Sequence, residues 1–144
     1  MILKTYHSYI IKSFLRAILK ISLILFSLVF ILNVFEEISF FKEDTNIFLP
    51  VLLTFLNIPS IIFDIFPFIF LISTQVFFLN LLEKEELNIF KNYGLNNLKI
   101  IKILALTSFI ISILLIIIFY NISAKFKFNY LDLKNKFSDD NKYL

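Results

Sequence analysis

The chain has 144 residues, 59% of them hydrophobic and 17% charged, with a net charge of +3 and a mean hydropathy of +0.86. A water-soluble domain carries about 25% charged residues, and one of this size has no interior large enough to hide so much apolar surface. The composition therefore excludes a soluble domain and makes lipid the natural solvent. With no cysteine, disulfide scaffolds, thiolate metal sites and cysteine nucleophiles are excluded.

Residues 1–16 open the chain as a basic amphipathic helix. Lys4, Ser8, Lys12, Arg16 and Lys20 recur every four residues, which places them on one drifting helical stripe. Leu3, Tyr6, Ile10, Phe14 and Ile18 lie on the other side. Such a helix suits the headgroup region; the plainer alternative is a positive flank for the first span. The basic stretch is too long for the n-region of a cleavable signal, and no small-residue cleavage site follows it.

Residues 17–35 form a first span. Lys20 can snorkel to the surface, and Asn33 sits near the far end. Residues 36–58 follow as a loop with a short interfacial helix, and Glu36, Glu37, Glu43 and Asp44 make its start acidic. Residues 47–82 are almost continuously apolar but contain Pro50, Pro59 and Pro67. One unbroken helix over that stretch would be about 54 Å long, against a hydrocarbon core of about 30 Å. The residue before a proline resists helical geometry, so the split is set at Pro59. A second span then runs over 60–82 and is kinked at Pro67. Asp64 lies near enough to its start to reach water or a neighbouring chain.

Residues 83–102 are charged and short. Gly94, the single glycine, sits where a helix would end, because glycine takes the left-handed C′ conformation without steric cost. Asn96 or Asn97 can cap the next helix. Residues 103–124 are uncharged and give the cleanest span. The tail, 125–144, is polar and lacks the apolar residues to fold alone; its first part extends the third helix. Lys and Arg number four up to and including Lys20 at the start of the first span, one in the acidic loop, four between the second and third spans and five in the tail. Positive flanks stay inside, so the N-terminus and 83–102 are expected in the cytoplasm, with the tail outside.

No catalytic constellation, metal motif or phosphate loop is present, and His7 reads as a surface side chain. No cofactor is expected, and any energy source must come from a partner. The informative stretch is cytoplasmic. Glu83, Glu85 and Glu86 precede Leu87, Phe90 and Lys91, and Leu87 and Phe90 share a helical face. Acids beside apolar anchors suit insertion into a groove of a partner protein; a solvated linker between spans is the competing reading. The expected fold is an all-α membrane protein of three transmembrane helices, with an N-terminal interfacial helix and a short cytoplasmic coupling helix.

The order of features resembles a known family. Glu36-Glu37 closes the first span, Pro59 and Pro67 are separated by seven residues, and Glu86-Leu87 leads through six residues to Gly94. The stretch EELNIFKNYGLNNLKI resembles the cytoplasmic coupling segment of the LptF/LptG (YjgP/YjgQ) lipopolysaccharide-export permeases. The resemblance covers about residues 5–135. Asn33 stands where some members carry a basic residue, and Ala124 where a proline often ends the third span.

What the resemblance implies is the N-terminal half of an ABC transporter permease of the Gram-negative inner membrane. Lipopolysaccharide would be its lipid cargo. Its partners would be a cytoplasmic ABC ATPase dimer that hydrolyses the ATP, a second related permease subunit and a periplasmic bridge protein. Glu83, Glu86, Leu87, Phe90, Lys91 and Gly94 would couple to the ATPase. Ser27, Asn33, Phe35, Glu36 and Glu37 would line the lipid cavity or its gate. A periplasmic β-jellyroll would follow residue 144. The alternatives are a permease half of another ABC exporter, or a small membrane scaffold or assembly protein.

Overall fold

The computed structural model describes residues 2–41 and 47–137, with side chains from Tyr6 onward. Lys4 and Leu3 of the N-terminal pattern, Glu43 and Asp44 of the acidic loop, and the tail beyond Phe137 lie outside these described residues or side chains. Every regular element among them is helical: α1 (Ile2–Phe40), α2 (Phe48–Asp64), α3 (Phe66–Glu83), α4 (Glu86–Asn92), α5 (Asn97–Leu114) and α6 (Tyr120–Lys136), with a π-helical turn over Leu115–Phe119 between the last two. Among the described residues, three helical stretches are long and apolar enough to cross a membrane: Tyr6–Phe40, Phe48–Glu83 and Asn97–Lys136. Leu19, Leu32, Phe35, Phe68, Phe109 and Ile117 are each more than 60% exposed along them. Water would penalise such a surface, but hydrocarbon accepts it, and helices satisfy their own backbone there.

The chain divides into two compact units. One comprises residues 1–23 and 67–113, the other residues 24–66 and 114–144. In the first, Ile10, Phe14, Ala17, Ile18 and Ile21 recur at helical spacing along α1 and are buried. Phe14 meets Phe77 of α3 edge-on, with ring centroids 5.9 Å apart. α1 has no break near residue 16. The apolar side anticipated at the headgroups thus packs inside the protein at Ile10 and Phe14, both 0% exposed. In the second unit, Phe41, Leu53 and Tyr130 form a core with Phe40, Leu49, Leu56, Leu131 and Leu133 around it.

The proline punctuation differs from the sequence expectation. α2 runs straight through Pro59, and the break falls at Ile65, whose φ and ψ of −89° and 2° leave the helical region. Proline is tolerated within apolar membrane helices when neighbouring groups satisfy the freed backbone. Pro67, by contrast, stands in the first turn of α3, where a missing N–H is no loss, and it disfavours helical geometry at the residue before it. Pro67 therefore marks the boundary between α2 and α3.

Candidate functional site

The segment between the second and third apolar stretches is a sharply bounded helix. The chain leaves α3 through Lys84, whose N–H bonds the Asn80 carbonyl, and Glu85, whose N–H bonds that of Leu82. Glu85 then adopts φ +55°. That left-handed geometry is uncommon for a residue with a Cβ, and it turns the chain into α4. Glu86 lies in the first turn and Lys91 in the last, each at the end whose partial charge favours it. α4 closes in a Schellman motif. Gly94 takes φ +78°, its N–H bonds the Lys91 carbonyl at 2.9 Å, and the Leu95 N–H bonds that of Phe90 at 2.9 Å. Leu95 and Phe90 are both buried, the apolar pairing that accompanies this motif. Asn96 Oδ1 then accepts the Lys99 N–H at 3.0 Å, which makes Asn96 the N-cap of α5, and the Lys99 ammonium donates to the Gly94 carbonyl.

α4 is fastened to the start of α1. The Tyr9 hydroxyl donates to Glu86 Oε1 at 2.7 Å. The Phe90 ring meets Tyr6 edge-on at 5.6 Å and Tyr9 at 6.1 Å. Tyr6 also lies 5.2 Å from Tyr93. Phe90, anticipated as an anchor for a partner, is 3% exposed because these tyrosines cover it. Leu87 is half-buried. The apolar side chains that α4 and its C-cap leave uncovered are Ile89, 48% exposed, and Tyr93, 55% exposed. Glu83, Glu85 and Lys91 are exposed around them.

A second polar constellation lies in the other unit. Asn33 and Glu37, one turn apart on α1, are 4% and 0% exposed. Glu37 Oε1 accepts the Tyr130 hydroxyl at 2.7 Å and the Lys134 ammonium at 3.0 Å. Lys134 also donates to the Tyr130 oxygen and sits 4.4 Å from the Phe40 ring centroid. Asn57 of α2 donates to Asn33 Oδ1 at 3.3 Å, and its own Oδ1 accepts the Lys127 ammonium at 2.6 Å. Ser123 donates to the Pro59 carbonyl. Polar groups that are expensive to bury alone thus pair with one another across α1, α2 and α6, while Glu37 Oε2 is buried without a hydrogen-bond partner among the described residues. Of the five gate residues inferred on α1, Asn33 and Glu37 enter this network, while Ser27, Phe35 and Glu36 are exposed. Glu36 Oε2 is within 3.4 Å of the Asn33 amide.

A family model described as lipopolysaccharide export system permease LptF/LptG matches residues 8–144. The chain belongs to the LptF/LptG family. Neither curated proteins nor solved structures give a match. As a family member it is a transport permease for lipopolysaccharide export and a multi-pass inner-membrane protein, in keeping with its three membrane-capable helical stretches.

Two parts of this LptF/LptG permease's polar architecture escaped the sequence reading. Tyr6 was visible only as part of a helical pattern, Tyr9 was not singled out at all, and nothing local tied either to Glu86 and Phe90. Lys127, Tyr130 and Lys134 fell in a tail read as polar, its first part only as an extension of the third helix. The available signal was their spacing of three and four residues, which puts all three on one face of a helix.

Proposed function

We propose that this permease supplies the three-span, N-terminal part of an ABC exporter subunit and receives its drive at α4. A separate cytoplasmic ATPase dimer closes on ATP, pushes α4, and so moves the spans that form the lipopolysaccharide path. A second related permease completes that path, and a periplasmic bridge protein takes the cargo onward. The N-terminus and α4 lie in the cytoplasm, as the positive flanks favour.

The observation that carries this reading is the two-sided character of α4. One side, Glu86 and Phe90, is bound to Tyr9 and Tyr6 of α1. The side that carries Ile89, about 100° around the helix from Phe90, is 48% exposed at that residue and flanked by exposed acids, while Tyr93 stays against Tyr6. A short helix closed at its C-terminal end by a Schellman motif transmits a push into whatever it is fastened to. Its free apolar side chains with flanking carboxylates suit a groove bearing arginine. Within this reading Ile89 and Leu87 seat in the ATPase, Glu83 and Glu86 supply the acidic field, and Phe90 works inward as the link to α1. Ser27 and Phe35 face the lipid path, while Asn33 and Glu37 hold its wall together.

Substituting Ile89→Asp tests it. Membrane insertion should persist and co-purification of the ATPase should be lost. Undiminished co-purification, with export intact, would overturn the docking role of α4.

A further inference from the structure

A groove of about 150 Å³ lies between α1 and the end of α3, apart from the exposed side of α4. Its walls carry two matched pairs one helical turn apart: Arg16 and Lys20 on α1, and Asn80 and Lys84 at the end of α3. Ser13 adds a hydroxyl, and the buried Phe77 ring lines it. The single acid lining the groove is Glu86, which already accepts the Tyr9 hydroxyl. None of Arg16, Lys20 and Lys84 forms an ion pair among the described residues. Three cations around one small cleft repel one another, so the cleft is poised for an anion.

We propose that this groove binds the phosphate of an anionic membrane phospholipid. Arg16 offers a planar, two-pronged donor set that matches phosphate oxygens, and Lys20 and Lys84 add compact point charges. Ser13 and Asn80 can donate to the remaining oxygens. The volume suits a phosphate group and leaves the acyl chains outside. Ala17, Val76 and Leu81 line the same groove beside these cations and give the start of those chains an apolar surface. Basic pockets between membrane helices are a recurring form of lipid headgroup site. On the orientation proposed above, this lipid lies in the cytoplasmic leaflet. Headgroup binding itself does not depend on that orientation.

Native mass spectrometry of the full chain in neutral detergent, titrated with phosphatidylglycerol, phosphatidylcholine or inorganic phosphate, separates the outcomes. One saturable phosphatidylglycerol adduct is expected, weakened about ten-fold or more by the double variant Arg16→Gln, Lys84→Gln. Lys102→Gln, which removes a cation from outside the groove, should leave it unchanged. Lys20→Gln alone should give an intermediate loss, and it serves if the double variant does not fold by circular dichroism. Equal binding by Lys20→Gln and the parent, equal losses in Lys102→Gln, or equally tight binding of phosphatidylcholine would overturn the proposal. So would inorganic phosphate binding as tightly as the lipid. Because no ATPase is present, failure here is distinct from failure of the docking role of α4.

Discussion

Lys134 reaches back ninety-seven positions to place its ammonium 3.0 Å from Glu37 Oε1, and both side chains are buried. Removing one member of a buried ion pair leaves an uncompensated charge, whereas replacing both with apolar residues is often neutral or stabilising. Glu37→Leu or Lys134→Met alone should therefore destabilise the protein by about 3–5 kcal/mol, with Glu37→Leu, Lys134→Met recovering most of the loss. Denaturant titration in detergent across the double-mutant cycle measures this. Additive losses would show that the two residues do not act as a pair.

Asn57 bridges Asn33 and Lys127 through both ends of its amide. Asn57→Leu keeps the branched shape but removes a donor and an acceptor at once. It should cost about 1–3 kcal/mol, the penalty for leaving buried polar partners unsatisfied. Asn57→Asp, which keeps the acceptor for Lys127, should cost less than Leu. Thermal unfolding of the two variants side by side is the check, and a reversed order would refute the bridging role.

Gly94 has φ +78° and open space around the position where a Cβ would stand. Substitution there is strained by the backbone and not by crowding. Gly94→Ala should destabilise the turn by about 1–2 kcal/mol, the cost of a left-handed L-residue, and Gly94→Asn by less. Faster amide exchange at Gly94 and Leu95, whose N–H groups close the Schellman motif, is the expected signature.

Tyr9→Phe removes one hydroxyl while retaining the ring that meets Phe90. The charge-assisted bond to Glu86 disappears, and α4 keeps its aromatic contacts. Insertion should be normal, and lipopolysaccharide release driven by the ATPase should fall several-fold. If release is unchanged, the hydroxyl is not part of the link from α4 to α1.

The helical, membrane-embedded fold was legible in composition and in long apolar runs, because lipid imposes few ways to satisfy a backbone. Gly94 was legible because its conformation is specific to its residue type. Glu85 was not: it takes the same left-handed region with nothing in its residue type to mark it, and the strain there is imposed by its surroundings. The break was expected at Pro59 and a kink at Pro67, but tertiary context carries Pro59 within α2 and places Pro67 where α3 begins. Glu36 and Glu37 are adjacent acids, yet one is exposed and the other fully buried. The hint lay in the four-residue spacing of Asn33 and Glu37, and its meaning depended on Lys134, far along the chain. Charge in the segment after residue 124 signalled solvation by composition, whereas the matching acid on α1 draws part of it inside.

The claim that α4 receives the drive of a lipopolysaccharide-export ATPase is tested most directly by site-specific photocrosslinking in native membranes. A photoreactive amino acid at position 89 should form an adduct with the cytoplasmic ATPase, strengthened when ATP binding closes it. The same group at Phe35, exposed on α1, should not reach the ATPase. An ATPase adduct from position 35, or none from position 89 in membranes where export is active, would contradict the account.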